Sequence, residues 1–198
     1  MESLIVPGII AGVFSLIVAL VSVWWKDYLD RRKKNYAEAI SESDLISMVE
    51  LQKWLDDVRL ELDVDRAAIY QFHNGGHYAS GKSIKKFSMT YESTRPGIAS
   101  IKRVSQNILA SEHPKWMEKM FKEDFFVCDR ETTDDEKAKQ DLDYYGIKST
   151  VTVPVRDISG HLVGFIACHM ILHKRDFTNL EEKLVDYSAE ISGYLVRK

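Results

Sequence analysis

The sequence predicts an α+β domain, in which helices pack on an antiparallel sheet, preceded by a single transmembrane helix and a helical linker. Short apolar or alternating segments bounded by Gly, Pro, Asn and Asp are typical of strands, and helical apolar patterns flank them at both ends. An uncharged run from Ser3 to Trp25 stands before them. We therefore divide the chain into an anchor (1–25), a juxtamembrane linker (26–44) and a folded domain (45–198).

The N-terminal run is long enough to cross a bilayer. It spans about 23 residues, which at ~1.5 Å per residue matches a ~30 Å hydrocarbon core. Trp24 and Trp25 end it, and Lys26 and the basic stretch 31–34 follow, which predicts an outside N-terminus and a cytoplasmic domain. The acidic start and Trp-Trp-Lys flank do not fit a cleaved signal peptide. We expect a single-pass protein of the inner or plasma membrane.

Gly8 and Gly12 have the G-x-x-x-G spacing that lets two membrane helices pack closely. Residues 26–62 contain neither Pro nor Gly and predict a continuous helix. An apolar heptad seam runs along its second half, at Met48, Leu51, Leu55, Val58 and Leu62. Two interpretations stay open: the seam packs on the following domain, or it pairs two parallel helices below two membrane anchors.

The remaining elements follow in order. Residues 67–72 predict a first strand ending in a turn at His73–Gly76, and 87–92 a second strand after a polar loop. Residues 101–109 and 114–121 are amphipathic and predict helices. A strand at 125–128, a helix between Thr133 and Gly146, strands at 149–155 and 162–172, and a helix opened by Thr178-x-x-Glu181 complete the domain.

Composition excludes several functions. A net charge of −3 with 29% charged residues does not predict nucleic-acid binding. Cys128 and Cys168 form no C-x-x-C motif, and free thiols are expected. We find no G-x-S-x-G, P-loop or H-E-x-x-H motif, and we predict that the protein is not an enzyme.

The polar segment between the first two strands offers candidate ligands. His73 and His77 flank a Gly-Gly pair, which does not suit a rigid helical metal site, and we expect no metal. A plain polar turn and a ligand-contacting loop are the alternatives. Lys82, Lys85 and Lys86 predict a solvated loop or, alternatively, anion capture.

The last fifty residues resemble those of GAF domains. YGIKSTVTVPVRDISGHLVGFI, residues 145–166, is similar to the family's "G-(I/V)-x-S-x-x-x-V-P-(V/L)" strand followed by its "D-x-x-G-x-(L/V)-x-G" turn. RDFTNLEEKL, residues 175–184, resembles the entry to the family's final helix. DRAAIYQF at 65–72 and FVCD at 126–129 resemble its first strand and its strand ending in Asp. The resemblance covers roughly residues 45 to 198.

The resemblance implies a GAF/PAS-like sheet with the first and last helices on one face and a small-molecule pocket on the other. Polar residues on the predicted strands and the loop before them are the candidate pocket residues: His73, Asn74, Lys86, Ser88, Tyr91, Thr150, Thr152 and His169. The Asn-Lys…Phe…Asp-Glu set of the cyclic-nucleotide-binding members does not match. The cysteines fall in predicted strands, not in the loops that bilin-binding and sulfoxide-reducing members use. The cofactor stays unknown.

We therefore expect a membrane-tethered sensory module that binds a small molecule or a protein partner and couples it to homodimerisation through its N- and C-terminal helices. The alternative is a non-catalytic structural subunit of a membrane-associated assembly with a vestigial pocket. A pocket filled by Phe72, Met89, Phe126 and Met170 would favour that alternative. A third interpretation, an enzyme, would need turnover that depends on His73.

Overall fold

The computed structural model describes residues 5–38, 42–174, 177 and 180–195. The helices are α1 (Ile5–Glu38), α2 (Glu42–Glu61), α3 (Pro114–Lys122), α4 (Glu136–Tyr144) and α5 (Glu181–Leu195). The strands are β1 (Arg66–His77), β2 (Ser83–Thr94), β3 (Ile108–Leu109), β4 (Phe126–Asp129), β5 (Ser149–Arg156) and β6 (Leu162–Met170). A short 3-10 helix covers Ala110–Glu112. The chain divides into two compact units, Met1–Ile46 and Ser47–Lys198.

The first unit contains α1. The Trp24 and Tyr28 rings stack with centroids 5.9 Å apart, and Arg31 pairs with the Asp27 carboxylate at 2.5 Å. In the part of the chain that the structure describes, no helix is both long and apolar enough to span a membrane. The predicted anchor therefore finds no support here, and its residues 1–4 lie outside the described residues. Gly8 and Gly12 lie on the part of α1 whose side chains are not described, and their packing role stays a prediction.

The second unit is built on a six-stranded antiparallel sheet with the order β3-β2-β1-β6-β5-β4. The sheet confirms the predicted α+β class. β1 and β6 occupy the centre, with Arg66 opposite His169 and Gln71 opposite Gly164. Gly164 is required there because a Cβ on it would lie 2.3 Å from the Tyr70 carbonyl oxygen.

The β1–β2 hairpin is longer than predicted. The predicted turn at 73–76 lies inside β1, where a register shift falls between Asn74 and His77, and the chain reverses at Tyr78–Lys82. Both faces of this outer hairpin are open to solvent, so its side chains lack the alternation that marks a strand. Beyond their apolar part, backbone pairing and cross-strand side-chain hydrogen bonds hold the two strands together.

The predicted helix over 101–109 is also wrong. The segment forms a turn in which the Val104 and Ser105 N–H groups donate to the Ile101 carbonyl, and it ends in β3. Met89 N–H donates to the Ser105 carbonyl at 2.8 Å, and the Gln106 side chain donates to the Met89 carbonyl at 2.7 Å. Because β2 satisfies these groups, the segment does not need helical hydrogen bonds.

One face of the sheet packs against α2 and α5. The seam residues Leu51, Leu55, Val58 and Leu62 are buried in this core, together with Ile166 and Cys168 of β6 and Leu184 and Ile191 of α5. These four seam residues therefore pack on their own domain, as the first interpretation predicts, whereas Met48 at the start of the seam is 42% exposed. The two interpretations do not exclude each other, and pairing of two such helices stays a prediction. Glu61 and α5 also meet, since the Tyr187 hydroxyl and the Lys183 ammonium contact the Glu61 carboxylate.

The opposite face carries a second core, rich in aromatic rings. Tyr70 and Phe165 stack at 4.6 Å between centroids, and Phe87 meets both edge-on. The segment 98–112, α3 and α4 cover this face. The two cores lie back to back on the same central strands.

Replacing Leu55 with Ala tests the helix-side core. Leu55 is fully buried, so Leu55→Ala should lower the free energy of unfolding by about 2–5 kcal/mol through lost transfer energy and a residual cavity. Leu60 on the same helix is 63% exposed, and Leu60→Ala should change stability by less than about 0.5 kcal/mol. Urea unfolding of the full chain measures both, and equal losses would contradict the packing described here.

Candidate functional site

A small cavity lies on the aromatic face of the sheet, with a volume of about 90 Å³. Its floor is formed by Thr150 of β5 and by Phe165, Ala167 and His169 of β6. Covering residues come from outside the sheet: Ile101, Ser105, His113, Trp116, Asp141 and Tyr145. Most of the wall is aliphatic or aromatic, and the polar groups are few.

The floor follows from strand periodicity. Successive side chains of a strand point to opposite faces, so Thr150 faces the cavity while Val151 and Val153 enter the helix-side core. In β6 the same alternation gives Ala167 to the cavity and Ile166 to the helix side. The fixed register of the sheet brings these side chains together.

Arg66 lies buried beside the cavity, with only 2% of its surface exposed. Its Nε lies 3.0 Å from Glu92 Oε1, one terminal nitrogen lies 3.2 Å from His169 Nδ1, and the other donates to the Ala99 carbonyl at 2.7 Å. Burial lowers the pKa of the guanidinium, and the Glu92 carboxylate opposes that shift. A guanidinium remains protonated in proteins, so Arg66 donates to His169 Nδ1 and to the Ala99 carbonyl. Its contact with Glu92 is an ion pair, in which the Nε–Oε1 approach lacks hydrogen-bond geometry.

This contact fixes the state of His169. Since the Arg66 guanidinium can only donate, His169 Nδ1 must accept, and the ring proton is assigned to Nε2. Burial, with a smaller contribution from the Arg66 charge, lowers the pKa of His169 to about 3. His169 is therefore neutral at physiological pH and carries an Nε2–H donor, which has no hydrogen-bond partner among the described residues.

Glu92 connects Arg66 to the cover of the cavity. Its carboxylate accepts from the Ile101 N–H at 2.9 Å and contacts the Ser100 hydroxyl. Ile101 lines the cavity, so a β2 carboxylate holds one edge of the cover in place.

Ser105 lies in the same cover segment and is 1% exposed. Its Oγ lies against the Tyr70 phenol without hydrogen-bond geometry, and it has no partner in the part of the chain that the structure describes. Burial raises the pKa of the Tyr70 phenol, so that this group is a neutral hydroxyl. A buried hydroxyl without a partner is uncommon and needs an explanation.

His113 and Asp141 form the side of the cavity near α4. His113 Nδ1 lies 3.5 Å from Asp141 Oδ2, while Lys137 donates to the other Asp141 oxygen at 2.6 Å. Burial lowers the pKa of His113, although Asp141 partly opposes the shift. The carboxylate on this side is therefore already paired.

The predicted site residues fall into three groups. Thr150 and His169 line the cavity, and Thr152 is buried close by without being part of its lining. Four others lie on the outer β1–β2 hairpin, where His73 bonds Ser88 at 2.9 Å and Asn74 accepts from Ser83 at 2.8 Å. The structure does not bring this last group, His73, Asn74, Lys86 and Ser88, to the cavity lining.

Tyr91 is displaced by a β-bulge. Ile69 pairs with Tyr91 and Tyr70 with Met89, so Thr90 has no partner across the ladder. The extra residue reverses the alternation, and Tyr91 packs against the helix-side core instead of the cavity. Tyr91 also borders a separate open groove, where the Lys102 ammonium lies 5.7 Å above its ring.

A pocket filled by four named residues would favour the structural-subunit alternative. Phe72, Met89 and Phe126 do belong to the aromatic face, whereas Met170 faces the helices. None of the four lines the cavity. Among the described residues, no group of three or more His, Cys, Asp or Glu side chains is placed to hold a metal ion.

Sequence reasoning missed Tyr70, Ser105, His113 and Asp141. The last three reach the cavity from segments whose path over the sheet depends on distant contacts. Arg66 carried a usable signal, because a charged residue at the start of an apolar strand must find buried partners.

Comparisons with known proteins agree with this architecture. The family model of the GAF domain matches residues 49–192. The phycocyanobilin-bound GAF domain of a cyanobacterial phytochrome is similar at 19% identity, with 85% of this chain and 94% of that chain covered and a TM-score of 0.60. The phycoerythrobilin-bound GAF domain of a cyanobacterial phytochrome gives 16% identity, 88% and 95% coverage and a TM-score of 0.61.

A third solved structure is the blue-light absorbing form of the PixJ GAF domain of Thermosynechococcus elongatus. It shares 19% identity over 80% of this chain and 89% of that chain, with a TM-score of 0.57. At these identities the likeness establishes the fold. Comparison with curated protein sequences finds no match.

The neutral state of His169 predicts acid sensitivity. Its native pKa is about 3 against an ordinary ~6.5, so below pH 6.5 the unfolded chain binds the proton that the native state rejects. The contribution of neutral His169 to the free energy of unfolding is then fully present above pH 6.5. It is lost as the pH is lowered, by about 2 kcal/mol between pH 6.5 and 5. His113, whose pKa burial also lowers, acts in the same direction.

Urea midpoints at pH 7, 6 and 5 measure this loss. His169→Gln keeps an acceptor for Arg66 and should reduce the pH dependence, whereas the exposed control His77→Gln should retain that of the parent. Parallel pH curves for the parent and His169→Gln would contradict the assignment.

Proposed function

Because the chain belongs to the GAF domain family, we propose that it is a regulatory module that binds a small molecule in the cavity between the sheet and the Ser105 segment. The observation that carries the proposal is the combination of apolar walls with a buried hydroxyl, Ser105 Oγ, that has no partner within the described ranges of the chain. A concave apolar site with a few aimed polar groups is typical of ligand pockets. Ligand binding gives such a hydroxyl its missing partner.

A bilin does not fit this cavity. The similar solved structures include bilin-bound GAF domains, and a linear tetrapyrrole needs a site at least as large as the ~300–1,000 Å³ pockets of drug-sized ligands. The cavity here measures about 90 Å³. Neither cysteine lines it: Cys168 faces the helices, where burial raises its thiol pKa to about 12, and Cys128 packs with Ala138 and Leu142.

The sheet connects the cavity to the helices, because its strands contribute side chains to the cavity and to the helix-side core. Ala167 lines the cavity, and its neighbour Cys168 belongs to the core that contacts α2 and α5. A ligand that shifts β6 or β1 therefore acts on the packing of both helices. We extend the proposal to homodimerisation through the terminal helices. Since the seam residues from Leu51 onward are already buried, the contact would use the exposed apolar side chains of α2, such as Met48, Val49 and Leu60.

Membrane attachment is the second part of the proposal, and it rests on the sequence and on the exposed apolar side chains of α1. The run from Ser3 to Trp25 is uncharged and a basic stretch follows it. Leu16, Leu20 and Val23 are exposed on α1, an apolar surface that needs a partner or a lipid environment. We place the second unit in the cytoplasm, as the basic flank predicts.

A non-catalytic assembly subunit is the second candidate function. Tyr70, Phe72, Phe87 and Phe165 contact one another and fill much of the cavity face. Such filling is the expected signature of a pocket that has lost its ligand. The two candidates differ in whether any small molecule stabilises the protein.

A melting screen of the full chain separates them. The library contains charged and uncharged metabolites with fewer than about ten non-hydrogen atoms. A true ligand at one hundred times its Kd adds about 2.7 kcal/mol, which raises Tm by several degrees. Ala167→Ile fills the cavity floor and should abolish the shift, whereas Ala79→Ile, in the exposed hairpin tip, should keep it. No shift with any compound would favour the assembly subunit.

Fractionation tests the anchor. The full chain should sediment with membranes and should stay in the membrane pellet after extraction with alkaline carbonate. A double Leu16→Arg, Leu20→Arg variant should move to the supernatant, since each central Arg opposes insertion by about 2.5–3.5 kcal/mol. Leu16→Ile with Leu20→Ile is the matched control and should stay in the pellet. A parent chain found in the supernatant would refute the anchor.

A further inference from the structure

The size of the cavity limits its ligand. A dry cavity of ~150 Å³ accommodates benzene. The cavity of about 90 Å³ is smaller and therefore admits a molecule of fewer than about six non-hydrogen atoms. Phe165 and Ala167 of its floor are 3% and 2% exposed.

Two hydrogen-bond donors at the cavity have no partner in the part of the chain that the structure describes. His169 must present Nε2–H, because Arg66 occupies Nδ1. The Ser105 hydroxyl is buried and lines the cavity. A ligand atom that accepts a hydrogen bond can pair with either group, whereas a donor-only ligand can pair with just the Ser105 oxygen.

The charged side chains around the cavity already have partners of opposite charge. The Arg66 guanidinium that backs His169 faces the Glu92 carboxylate, and Asp141 at the other side is paired with Lys137. His169 itself is neutral, as shown above. A charged ligand would lose its hydration without gaining an unpaired counter-charge, which disfavours anions and cations alike.

We propose that the cavity selects an uncharged, hydrogen-bond-accepting molecule of fewer than about six non-hydrogen atoms, such as a small carbonyl compound, held by Ser105 Oγ–H and His169 Nε2–H. This inference rests on the proposed function and names its ligand class. The apolar wall of Phe87, Ile101 and Trp116 receives the carbon body, and the two donors orient the oxygen.

Isosteric probes test the selectivity. Acetone, acetate and isopropylammonium have the same number of non-hydrogen atoms and differ in charge, and xenon reports apolar binding alone. Backbone amide shifts of the full chain give a Kd for each. Acetone should bind about tenfold or more tightly than either ion, and the shifts should centre on Ser105, Ala167 and His169.

Ser105→Ala tests the donor. Removing an unpartnered buried hydroxyl leaves the fold intact, which the amide spectrum itself checks. The affinity for acetone should fall about tenfold, the value of one lost hydrogen bond, while that for xenon should not change. Ser80→Ala, in the exposed hairpin tip, is the control and should bind every probe like the parent.

The outcomes separate this inference from the proposed function. Tighter binding of acetate or isopropylammonium would overturn the ligand class and leave a ligand-binding module in place. Equal acetone binding by the parent and Ser105→Ala would overturn the role of the donor. If no probe, xenon included, shifts the cavity residues, both the inference and the cavity-based function fail.

Discussion

A guanidinium buried inside a sheet needs acceptors on every side, and the partners of Arg66 come from three separate parts of the second unit. Glu92 belongs to β2, His169 to β6 and the Ala99 carbonyl to the cover of the cavity. Removing one partner of such a buried pair is strongly destabilising, at about 3–5 kcal/mol, because the other charge is left uncompensated. The sheet order around β1 and the position of the cover are thus tied to one side chain.

The residue next to Arg66 in the chain fixes the C-terminal end of β6. Asp65, next to Arg66, accepts from the N–H groups of Ile171 and Leu172 at 2.7 and 2.8 Å and pairs with Arg95 at 2.9 Å. Two adjacent residues of opposite charge therefore have different roles. Arg66 makes its contacts beside the cavity, and Asp65 binds the backbone N–H groups that follow β6. A change at the cavity that moves Arg66 acts directly on this junction of β1 and β6.

Sequence patterns predicted the parts of this arrangement that depend on local periodicity. Strict alternation in β5 and β6 places Thr150 and His169 on the cavity face, where they are found. Tyr91 shows the limit of that reasoning, since one unpaired residue, Thr90, reverses the faces and nothing in the sequence marks it. The heptad seam of α2 was compatible with both self-packing and pairing, and only the three-dimensional position of α5 and the sheet shows that its residues from Leu51 onward pack on their own domain.

The segment that covers the cavity could not be predicted from local periodicity, and the reason is a different one. Its apolar spacing mimics a helix over 101–109, yet its backbone groups bond to β2, and that long-range pairing leaves no local trace. Ser105 reaches the cavity through this path. The carboxylate of Glu92, which looks like an ordinary strand residue in the sequence, is what holds the path in place.

Some buried hydroxyls of the described residues have no hydrogen-bond partner, and their positions distinguish a packing imperfection from a candidate binding group. Ser149, Thr152 and Ser105 each bury an oxygen without a partner among the described residues. Ser149 and Thr152 lie in β5 and do not line the cavity, so no ligand there can compensate for their lost hydration. Ser105 differs because it lines a space large enough for a small molecule, which His169 also lines. Under the proposed function, a ligand that accepts the Ser105 hydrogen bond would recover the free energy of the unsatisfied group, about 1–3 kcal/mol. Such an arrangement would weaken the ligand-free state slightly relative to the bound one, which is the physical requirement for the proposed response to a ligand.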